Sequence, residues 1–514
     1  MNGCVRCTEA GMEFARPCIA IYPEEHSMIR HLLNVNFDGQ RGLQEQVRES
    51  LINAILSGIF PADTPLPSCR QLASQLNVSR NTTALVFESL VNEGYLVSRP
   101  RSGYYLHPDY YSCGQNTAQP APECESSAPH WGSRLKITPS QQESILKPAG
   151  WMHYRYPFIY GQPYTQQFPL ATWRAAANWL HGGVRDPAWV IDHIDQDVPM
   201  LIEQIRTRVL PKRGIVAAPD EILITLGSQN ALYLLTRLLM SRTTRVAVEN
   251  PSFREAINTF LLSDTQIVPH PVDSEGLVLN ETPCDYYYVT PGHQVPTGVT
   301  MSKARRTELL DYATRHDAVV IEDDYDSESN FMQNPLPALK ASDRSGRVIY
   351  VSSLSKALSP GLRLGYMVAA PEIIDEARAL RRLVYRHPPT NIQYQMAHFL
   401  AQGHYETHLR RYHEDSARRW DCLHNALRTF LPACEMMPGS EHANAFWLRT
   451  PEQISTQQLT WRAAHAGVLI EPGARHFLQD APPDNFFRMG FHAINPDAIA
   501  PGVEVLRGQL EQFC

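Results

Sequence analysis

A lysine and an arginine follow an apolar run at 348–351, whose β-branched residues are typical of a buried strand. Lys356 closes the sequence Ser-Ser-Leu-Ser-Lys, and Arg363 stands seven positions later. A lysine amine condenses with an aldehyde, whereas hydroxyl and guanidinium groups donate hydrogen bonds to a phosphate. The spacing therefore suits an aldehyde cofactor that bears a phosphate, with Lys356 as the amine. Ser353, Ser355 and Arg363 are then the predicted phosphate ligands.

Two further polar motifs also follow apolar runs that are typical of strands. In the first, Asp323 can keep a pyridine nitrogen protonated, and Tyr325 can bond a phenolic oxygen on the same ring. In the second, Gly227-Ser228-Gln229 is a glycine turn that opens a helix, and a helix N-terminus binds anions. Each motif alone has an ordinary explanation: a surface lysine, an acidic loop or a common strand-to-helix turn. Their occurrence together favours one cofactor site.

The elements that must position these residues alternate between short strands and helices. Alternation of this kind predicts an α/β fold with a mostly parallel sheet covered by helices, whose functional loops lie beyond the carboxyl ends of the strands. The clearest strand runs are 222–225, 246–248, 319–321 and 348–351, and the clearest helical runs are 228–240 and 303–315.

The composition describes a globular chain and excludes several classes of protein. Of 514 residues, 43% are apolar and 19% charged, which excludes a collagen-like or mainly disordered chain. At about 150 residues per domain, the length indicates roughly three domains. No stretch approaches the roughly 18 consecutive apolar residues of a membrane helix, and the N-terminus lacks the apolar core of a signal peptide. We therefore expect a cytoplasmic protein without a membrane segment.

Neither the cysteines nor the net charge predicts a metal site or a uniformly basic surface. The ten cysteines have no repeating spacing and are expected to be reduced thiols, and Cys4 and Cys7 form a lone C-x-x-C that we interpret as incidental. The formal net charge of −7 still allows a small DNA-binding module. Few residues could supply a condensing amine, because the chain has only six lysines: Lys136, Lys147, Lys212, Lys303, Lys340 and Lys356.

Residues 41–107 show a pattern of three helices followed by a two-stranded hairpin. Leu43, Val47, Leu51 and Ile55 recur every four positions and predict the first helix. The second and third helices each follow a serine that can cap them, and tyrosine-rich runs at 95–97 and 104–106 predict the hairpin. This order is the winged helix-turn-helix plan, in which the third helix enters a DNA major groove. The alternative is a small helical domain with solvated arginines.

The residues predicted to bind DNA lie at the caps, at the start of the third helix and in the wing. They are Ser68, Arg70, Ser79, Arg80, Asn81, Thr82, Arg99 and Arg101. Residues 1–40 have little periodicity and are predicted to be a loose extension. Residues 108–150 are rich in proline, serine and glutamine and predict a flexible linker to the remainder at 151–514.

The N-terminal module resembles the GntR family of bacterial transcription regulators. The family pattern is matched by Leu66-Pro67-Ser68-Cys69-Arg70, Val78-Ser79-Arg80 and Glu93-Gly94-Tyr95-Leu96. Thr83 stands where valine is usual, and it is β-branched and nearly isosteric. The resemblance implies a winged helix-turn-helix fold that binds double-stranded promoter DNA.

The remainder, from about Tyr156 to Gly508, resembles the fold type I aminotransferases, which use pyridoxal 5′-phosphate. Lys356 matches the Schiff-base lysine, Asp323 the aspartate on the pyridine nitrogen, and Tyr325 the tyrosine on the ring oxygen. Ser353, Arg363 and the turn at 227–229 match phosphate ligands. By the same resemblance, Phe253 stacks on the ring and Arg488 grips a substrate carboxylate.

The combination of the two parts is similar to the MocR/GabR subgroup of regulators. Residues 291–298, Pro-Gly-His-Gln-Val-Pro-Thr-Gly, fit the subgroup pattern P-x-H-Q-x-P-x-G. The resemblance implies a head-to-tail homodimer that carries pyridoxal 5′-phosphate on Lys356. A small metabolite with an amino group would be sensed through external aldimine formation at Lys356, which would change the spacing of two DNA-binding modules.

Two departures from the aminotransferase pattern leave alternatives open. Val295 stands where aminotransferases usually have asparagine, and residues 192–199 replace a Tyr-Gly-Asp-like stretch, so an acid or His193 there could contact the effector. The first alternative is an active pyridoxal phosphate-dependent aminotransferase with an appended DNA-binding module. The second keeps the fold as a scaffold without a cofactor.

Overall fold

The structure is a computed structural model that describes residues 37–39, 41–111, 130–145, 147–159, 161, 163, 165–182, 188–328, 335–439 and 443–513. Cys4 and Cys7 lie outside the described residues, as do residues 112–129 of the predicted linker. The chain divides into two units between Arg134 and Leu135. Within the described ranges, no helix has both the length and the apolarity that a bilayer span needs.

The N-terminal unit has the predicted order of three helices and a wing. Its elements are α1 (Leu43–Leu56), α2 (Cys69–Leu76), α3 (Arg80–Asn92), β1 (Leu96–Arg99), β2 (Gly103–Leu106) and the short α4 (Trp131–Arg134). β1 and β2 pair antiparallel, with Arg99 opposite Gly103. Val47, Leu51 and Ile55 of α1 are buried in the core of this unit, whereas Leu43 at the start of the helix is 41% exposed.

Side-chain caps fix where the second and third helices begin. Ser68 Oγ accepts the backbone N–H of Gln71, whose side chain in turn accepts the backbone N–H of Ser68, so α2 starts with a capping box. Ser79 Oγ accepts the backbone N–H of Thr82 at 3.0 Å and caps α3. Thr83 donates from its buried hydroxyl to the carbonyl of Cys69 at 2.9 Å, which ties α3 to α2.

Among the described residues, the large unit contains fourteen strands, and eight of them form its central sheet. Its strands are β3 (Tyr156–Pro157), β4 (Ile222–Thr225), β5 (Arg245–Asn250), β6 (Gln266–Asp273), β7 (Gly276–Leu277), β8 (Tyr286–Val289), β9 (Val319–Asp324), β10 (Val348–Ser353), β11 (Gly365–Val368), β12 (Glu435–Met436), β13 (Ala445–Arg449), β14 (Val468–Leu469), β15 (Glu471–Pro472) and β16 (Phe486–Gly490). The central sheet has the order β4-β11-β10-β9-β8-β5-β6-β7. Neighbours from β10 to β6 are parallel, and β11 is antiparallel to both β10 and β4. The predicted α/β fold is confirmed.

Helices cover the central sheet, and a second sheet lies later in the chain. The helices are α5 (Leu170–His181), α6 (Pro199–Gln204), α7 (Ser228–Leu239), α8 (Arg254–Leu261), α9 (Lys303–Arg315), α10 (Leu339–Ser342), α11 (Pro371–Tyr385), α12 (Thr390–Ala401), α13 (His404–Phe430), α14 (Thr456–His465) and α15 (Pro496–Leu510). The second sheet is antiparallel, in the order β12-β13-β16-β15. The 27-residue α13 joins the part that holds the central sheet to the part that holds the second sheet.

The end of the predicted linker packs on the large unit, which differs from the flexible linker expected up to residue 150. Asn258 donates to the carbonyl of Glu143 at 2.7 Å, and the backbone N–H of Ile145 donates to Glu255 at 3.1 Å. Hydrogen bonds to α8 hold the chain here. Because these bonds involve polar groups, they produce no periodic pattern of apolar residues from which the contact could be predicted. The other predicted domain bounds stay predictions.

Candidate functional site

One cavity of the large unit, about 530 Å³ in volume, collects the residues that were predicted from three separate motifs. All the cofactor and effector residues named from the sequence line it: Gly227, Ser228, Gln229, Phe253, Asp323, Tyr325, Ser353, Ser355, Lys356, Arg363 and Arg488. The parallel order of β9 and β10 brings the acidic motif beside the lysine loop. No residue of 192–199 lines this cavity, and Asp197 is instead paired with Arg381 at 2.7 Å.

Lys356 is the amine at the centre of the cavity. Its Nζ atom lies 3.9 Å from the centre of the Tyr325 ring. Burial lowers the pKa of Lys356 to about 7, although the carboxylate of Asp326 opposes this shift. A large neutral fraction near pH 7 makes the amine a competent nucleophile. The Tyr325 hydroxyl donates to the carbonyl of His293 at 3.0 Å.

Three consecutive acids on β9 face in different directions because side chains alternate along a strand. Glu322 accepts the backbone N–H of Leu339 at 2.7 Å, and Asp324 accepts from Arg213 at 2.7 Å, so both acids support the fold. Asp323 faces the cavity. The predicted strand ends at residue 321, so Asp323 was expected to follow it. In the structure β9 continues through Asp324, because its pairing with β10 extends that far.

Asp323 has one oxygen engaged and one available. Its Oδ2 accepts from the Tyr288 hydroxyl at 2.9 Å, whereas its buried Oδ1 has no hydrogen-bond partner among the described residues. Burial raises the pKa of Asp323 to about 7. A buried carboxylate with an unpartnered oxygen is stabilised by a hydrogen-bond donor, and a protonated ring nitrogen is such a donor.

The glycine turn and Arg363 form a cradle of donors. Gly227 has a φ of +87°, and a Cβ atom at this position would lie 2.9 Å from Arg363 Nη2. Arg363 donates to the carbonyl of Leu226 at 2.9 Å, which holds its guanidinium beside the start of α7. The first N–H groups of that helix and the guanidinium favour an anion at the same place.

The serines of the lysine loop have different positions. Ser355 Oγ accepts the N–H of Leu364 at 2.7 Å and donates to its carbonyl at 2.9 Å. Ser353 Oγ accepts the N–H of Ser355 at 3.3 Å and also borders the cavity. Ser355 therefore shapes the loop. No described residue accepts a hydrogen bond from the Ser353 hydroxyl.

These features fit pyridoxal 5′-phosphate in three separate respects. The neutral amine of Lys356 suits its aldehyde, and the buried Oδ1 of Asp323 suits its pyridine nitrogen. The donors around Gly227 and Arg363 suit its phosphate. Among the described residues, no cluster of three or more potential metal ligands competes with this assignment.

The predicted effector arginine also lines the cavity, and it has a partner in the chain. Arg488 on β16 stands opposite Glu471 on β15, and its Nη2 atom lies 2.8 Å from Glu471 Oε1. His476 Nε2 also lies 2.8 Å from this oxygen. Burial alone would raise the pKa of Glu471, but Arg488 and His476 together lower it to about 2. The carboxylate is thus ionised and contributes a negative charge to the cavity.

Sequence reasoning missed several residues that line this cavity. They include Ile145, Lys147 and Pro148 from the end of the predicted linker, and Glu471. Lys147 is one of only six lysines, and this scarcity was the one signal that could have drawn attention to it. Glu471 gave no signal, because its place depends on the pairing of β15 with β16.

The residues predicted to bind DNA lie at exposed ends of the N-terminal unit. Arg70, Arg80, Asn81, Arg99 and Arg101 are exposed. The Arg99 guanidinium lies over the Tyr105 ring, 4.1 Å from its centre, so the wing arginine is held in place. The hydroxyls of Ser68 and Ser79 cap helices, and that of Thr82 bonds Ser79 at 2.8 Å. Ser68 and Ser79 thus fix the starts of the helices that carry Arg70 and Arg80, and contact of these three residues with DNA stays a prediction.

The whole chain is similar to known transcription regulators. It is 36% identical over 471 residues to the HTH-type transcriptional regulator TauR of Rhodobacter capsulatus, and the match covers 90% of this chain and 96% of that protein. It is 31% identical to the probable rhizopine catabolism regulatory protein MocR of Rhizobium meliloti, over 93% of this chain and 95% of that protein. The chain belongs to the MocR-type regulators of the gntR family. The predicted resemblance is therefore confirmed.

This MocR-type regulator also matches a family model in each of its two parts. Residues 43–106 match the bacterial regulatory proteins of the gntR family, and residues 195–500 match aminotransferase class I and II. Among solved structures, the large unit is similar to the alpha-aminoadipate aminotransferase LysN of Thermus thermophilus, with a TM-score of 0.66 and 25% identity. The match covers 74% of this chain and 98% of LysN, which was solved with N-(5′-phosphopyridoxyl)-L-leucine. The large unit thus has the fold of type I aminotransferases.

Proposed function

We propose that this MocR-type regulator binds pyridoxal 5′-phosphate on Lys356 and senses a small metabolite that bears an amino group. The observation that carries the proposal is the meeting of Lys356, Asp323 and the donors around Gly227 and Arg363 in one cavity. Within the predicted bounds, residues 151–514 sense the metabolite and residues 41–107 bind promoter DNA.

Each side chain of the cavity has a distinct task in this proposal. Gly227, Ser228, Gln229, Ser353 and Arg363 hold the phosphate, and Ser355 keeps their loop in shape. Asp323 accepts a hydrogen bond from the ring nitrogen, and the half-buried Phe253 at the start of α8 covers the ring.

The sensing step depends on the proton balance of Lys356. Pyridoxal 5′-phosphate, when bound, supplies an aldehyde that can hold either the lysine amine or the amine of a metabolite. When Lys356 is released, its amine can take up a proton, and the buried carboxylate of Asp326 favours that charged form. The released lysine then has a different charge and freedom of movement, which can bias the unit toward another conformation.

A homodimer would convert this local change into a change at DNA. Two DNA-binding modules joined through their large units act with a raised effective concentration, so affinity depends on their spacing. Following the family resemblance, we propose a head-to-tail dimer in which the cavity state sets that spacing. Arg80 and Asn81 would read bases, whereas Arg70, Arg99 and Arg101 would contact phosphates.

The decisive experiment combines an absorbance measurement with a DNA measurement. The unmodified protein should take up pyridoxal 5′-phosphate with a visible absorbance band, and borohydride should fix the cofactor to the peptide that contains Lys356. The Lys356→Ala variant should lose the fixation and its response to amines on promoter DNA. Lys303→Ala, an exposed change on α9, should behave like the unmodified protein. A Lys356→Ala protein that binds the cofactor and still responds normally would contradict the proposal.

A working aminotransferase is the second candidate, and the pKa of Lys356 near 7 favours it, because such an amine can also move a proton. The retained Asp323 is consistent with turnover as well. Incubation with an amine donor and a 2-oxo acid separates the two candidates. Rapid formation of many equivalents of product would support the enzyme, and a single equivalent or less would support the sensor.

A further inference from the structure

A short segment of the predicted linker forms one wall of the cavity. We call residues 142–145 and 147–148 the strap. Ile145, Lys147 and Pro148 of the strap line the same cavity as Lys356 and Arg488. The segment that leads along the chain toward the DNA-binding unit is therefore also in contact with the space where an effector would bind.

Hydrogen bonds fasten the strap to two places beside the cavity. Asn258 on α8 donates to the carbonyl of Glu143 at 2.7 Å, and the N–H of Ile145 donates to Glu255 at 3.1 Å. Arg475 donates to the carbonyl of Ser144 at 2.9 Å. Because α8 begins directly after Phe253, the strap is anchored next to the residue that is predicted to cover the cofactor ring.

The charged side chains that line the cavity beside the strap do not balance in number. Arg488 is paired with Glu471, whose carboxylate it contacts at 2.8 and 3.0 Å. No carboxylate oxygen of the described residues lies within 4 Å of the Lys147 ammonium. Lys147, Arg475 and Arg488 contribute three positive charges, and Glu255 and Glu471 contribute two negative charges, so one positive charge remains even with His476 counted as neutral. Lys147 remains exposed to solvent on the wall of the cavity, and desolvation together with the positive charge of Arg488 lowers its pKa, whereas Glu471 raises it.

We propose that Lys147 binds the anionic group of the effector and thereby couples occupancy of the cavity to the strap. This inference rests on the proposed function, because it assumes that an amine meets the cofactor in this cavity. An effector that bridges Lys356 and Lys147 needs an amino group at one end and one anionic group at the other. Its binding would hold the strap against α8 and so restrain the chain that leads to the DNA-binding unit.

A pair of probes that differ only in the anionic group tests the assignment. β-Alanine and 3-amino-1-propanol have the same amine and the same chain length, but only β-alanine carries a carboxylate. Both are titrated into the protein loaded with pyridoxal 5′-phosphate, and the absorbance change gives their affinities. We expect Lys147→Gln to weaken β-alanine binding by tenfold or more, because a charge-assisted contact is lost. The affinity for 3-amino-1-propanol should change by less than twofold.

Lys136→Gln is the matched control, because Lys136 lies in the same linker but does not line the cavity. This variant should bind both probes as the unmodified protein does. A second measurement follows the strap itself by hydrogen–deuterium exchange of peptides that span 142–148. β-Alanine should slow this exchange in the unmodified protein and in Lys136→Gln, but not in Lys147→Gln.

The outcomes separate this inference from the proposed function. If neither probe nor any other amine changes the absorbance of the loaded unmodified protein, the proposed function itself fails. If the amines bind but Lys147→Gln weakens neither probe, or weakens both equally, Lys147 does not bind the anionic group and the inference is wrong. A selective loss for β-alanine with unchanged exchange in the strap would overturn the coupling.

Discussion

The guanidinium of Arg488 is already paired with the carboxylate of Glu471, at 2.8 and 3.0 Å, across two neighbouring strands. Their side chains are only 6% and 16% exposed. The arginine that the family resemblance assigns to an effector therefore already has a partner in the folded chain, and an anionic effector meets a cation that is partly neutralised.

Removing this carboxylate charge should destabilise the large unit. Glu471→Gln leaves Arg488 buried without its counter-charge, and we expect the free energy of unfolding to fall by about 3 kcal/mol. Urea unfolding of the large unit, followed by tryptophan fluorescence, measures the change. The control is Glu435→Gln, which breaks an exposed pair with Arg449 and should cost less than about 0.5 kcal/mol. Equal losses in the two variants would mean that burial of the Glu471 pair has no energetic consequence.

The glycine turn should be sensitive to a methyl group. In Gly227→Ala, the new Cβ atom would lie 2.9 Å from Arg363 Nη2 and would displace the guanidinium from the proposed phosphate site. We expect retention of pyridoxal 5′-phosphate during dialysis to weaken at least tenfold. Gly346→Ala is the control, since Gly346 also has a positive φ, +73°, but a Cβ there meets open space. If both variants retain the cofactor equally well, the clash with Arg363 has no effect on the proposed phosphate site.

The amine of Lys356 should titrate near neutral pH. Because burial lowers its pKa to about 7, the neutral and reactive fraction rises from about one tenth at pH 6 to about nine tenths at pH 8. Competitive acetylation of the cofactor-free protein, with peptide mass analysis at each pH, should therefore show half-maximal reactivity of Lys356 near pH 7. A midpoint near 10, the ordinary value for lysine, would show that burial does not shift this group.

Binding to promoter DNA should depend strongly on salt. If each module uses the three arginines 70, 99 and 101 on phosphates, a dimer makes about six contacts, and the slope of log K against log salt should be near −5. Arg99→Gln removes one contact per module and should reduce the slope by about 2. Arg48→Gln is the control, because Arg48 on α1 is paired within the same unit with Glu93, the residue that follows α3. A slope that Arg99→Gln leaves unchanged would exclude this arginine as a phosphate ligand.

Local sequence patterns predicted the bounds of an element well where hydrogen bonds within the same segment form that element. Helix α9 begins and ends at Lys303 and Arg315, as its sequence period indicated. Strand β9 was predicted too short, because its last residues, Asp323 and Asp324, are strand only through pairing with β10. Acidic residues have low strand propensity, so their local sequence gave no sign of this.

In the candidate site, too, residues in local motifs were predicted, whereas residues that reach the cavity through tertiary contacts were not. Lys356, Asp323 and Gly227 each lie in a motif that the chain displays within a few residues. Glu471 and Lys147 reach the cavity through contacts between distant segments, namely the pairing of β15 with β16 and the bonding of the strap to α8. No spacing in the sequence predicts such contacts.

The alternation of carboxylates along β9 has a consequence for how such a protein can diverge. Glu322 and Asp324 support the architecture on one face, and Asp323 serves the cavity on the other. A duplicated gene can therefore discard the proposed vitamin-dependent chemistry by changing one amino acid and keep its architecture intact. Loss of either neighbour would instead leave a buried donor of the architecture, the N–H of Leu339 or the guanidinium of Arg213, without its partner.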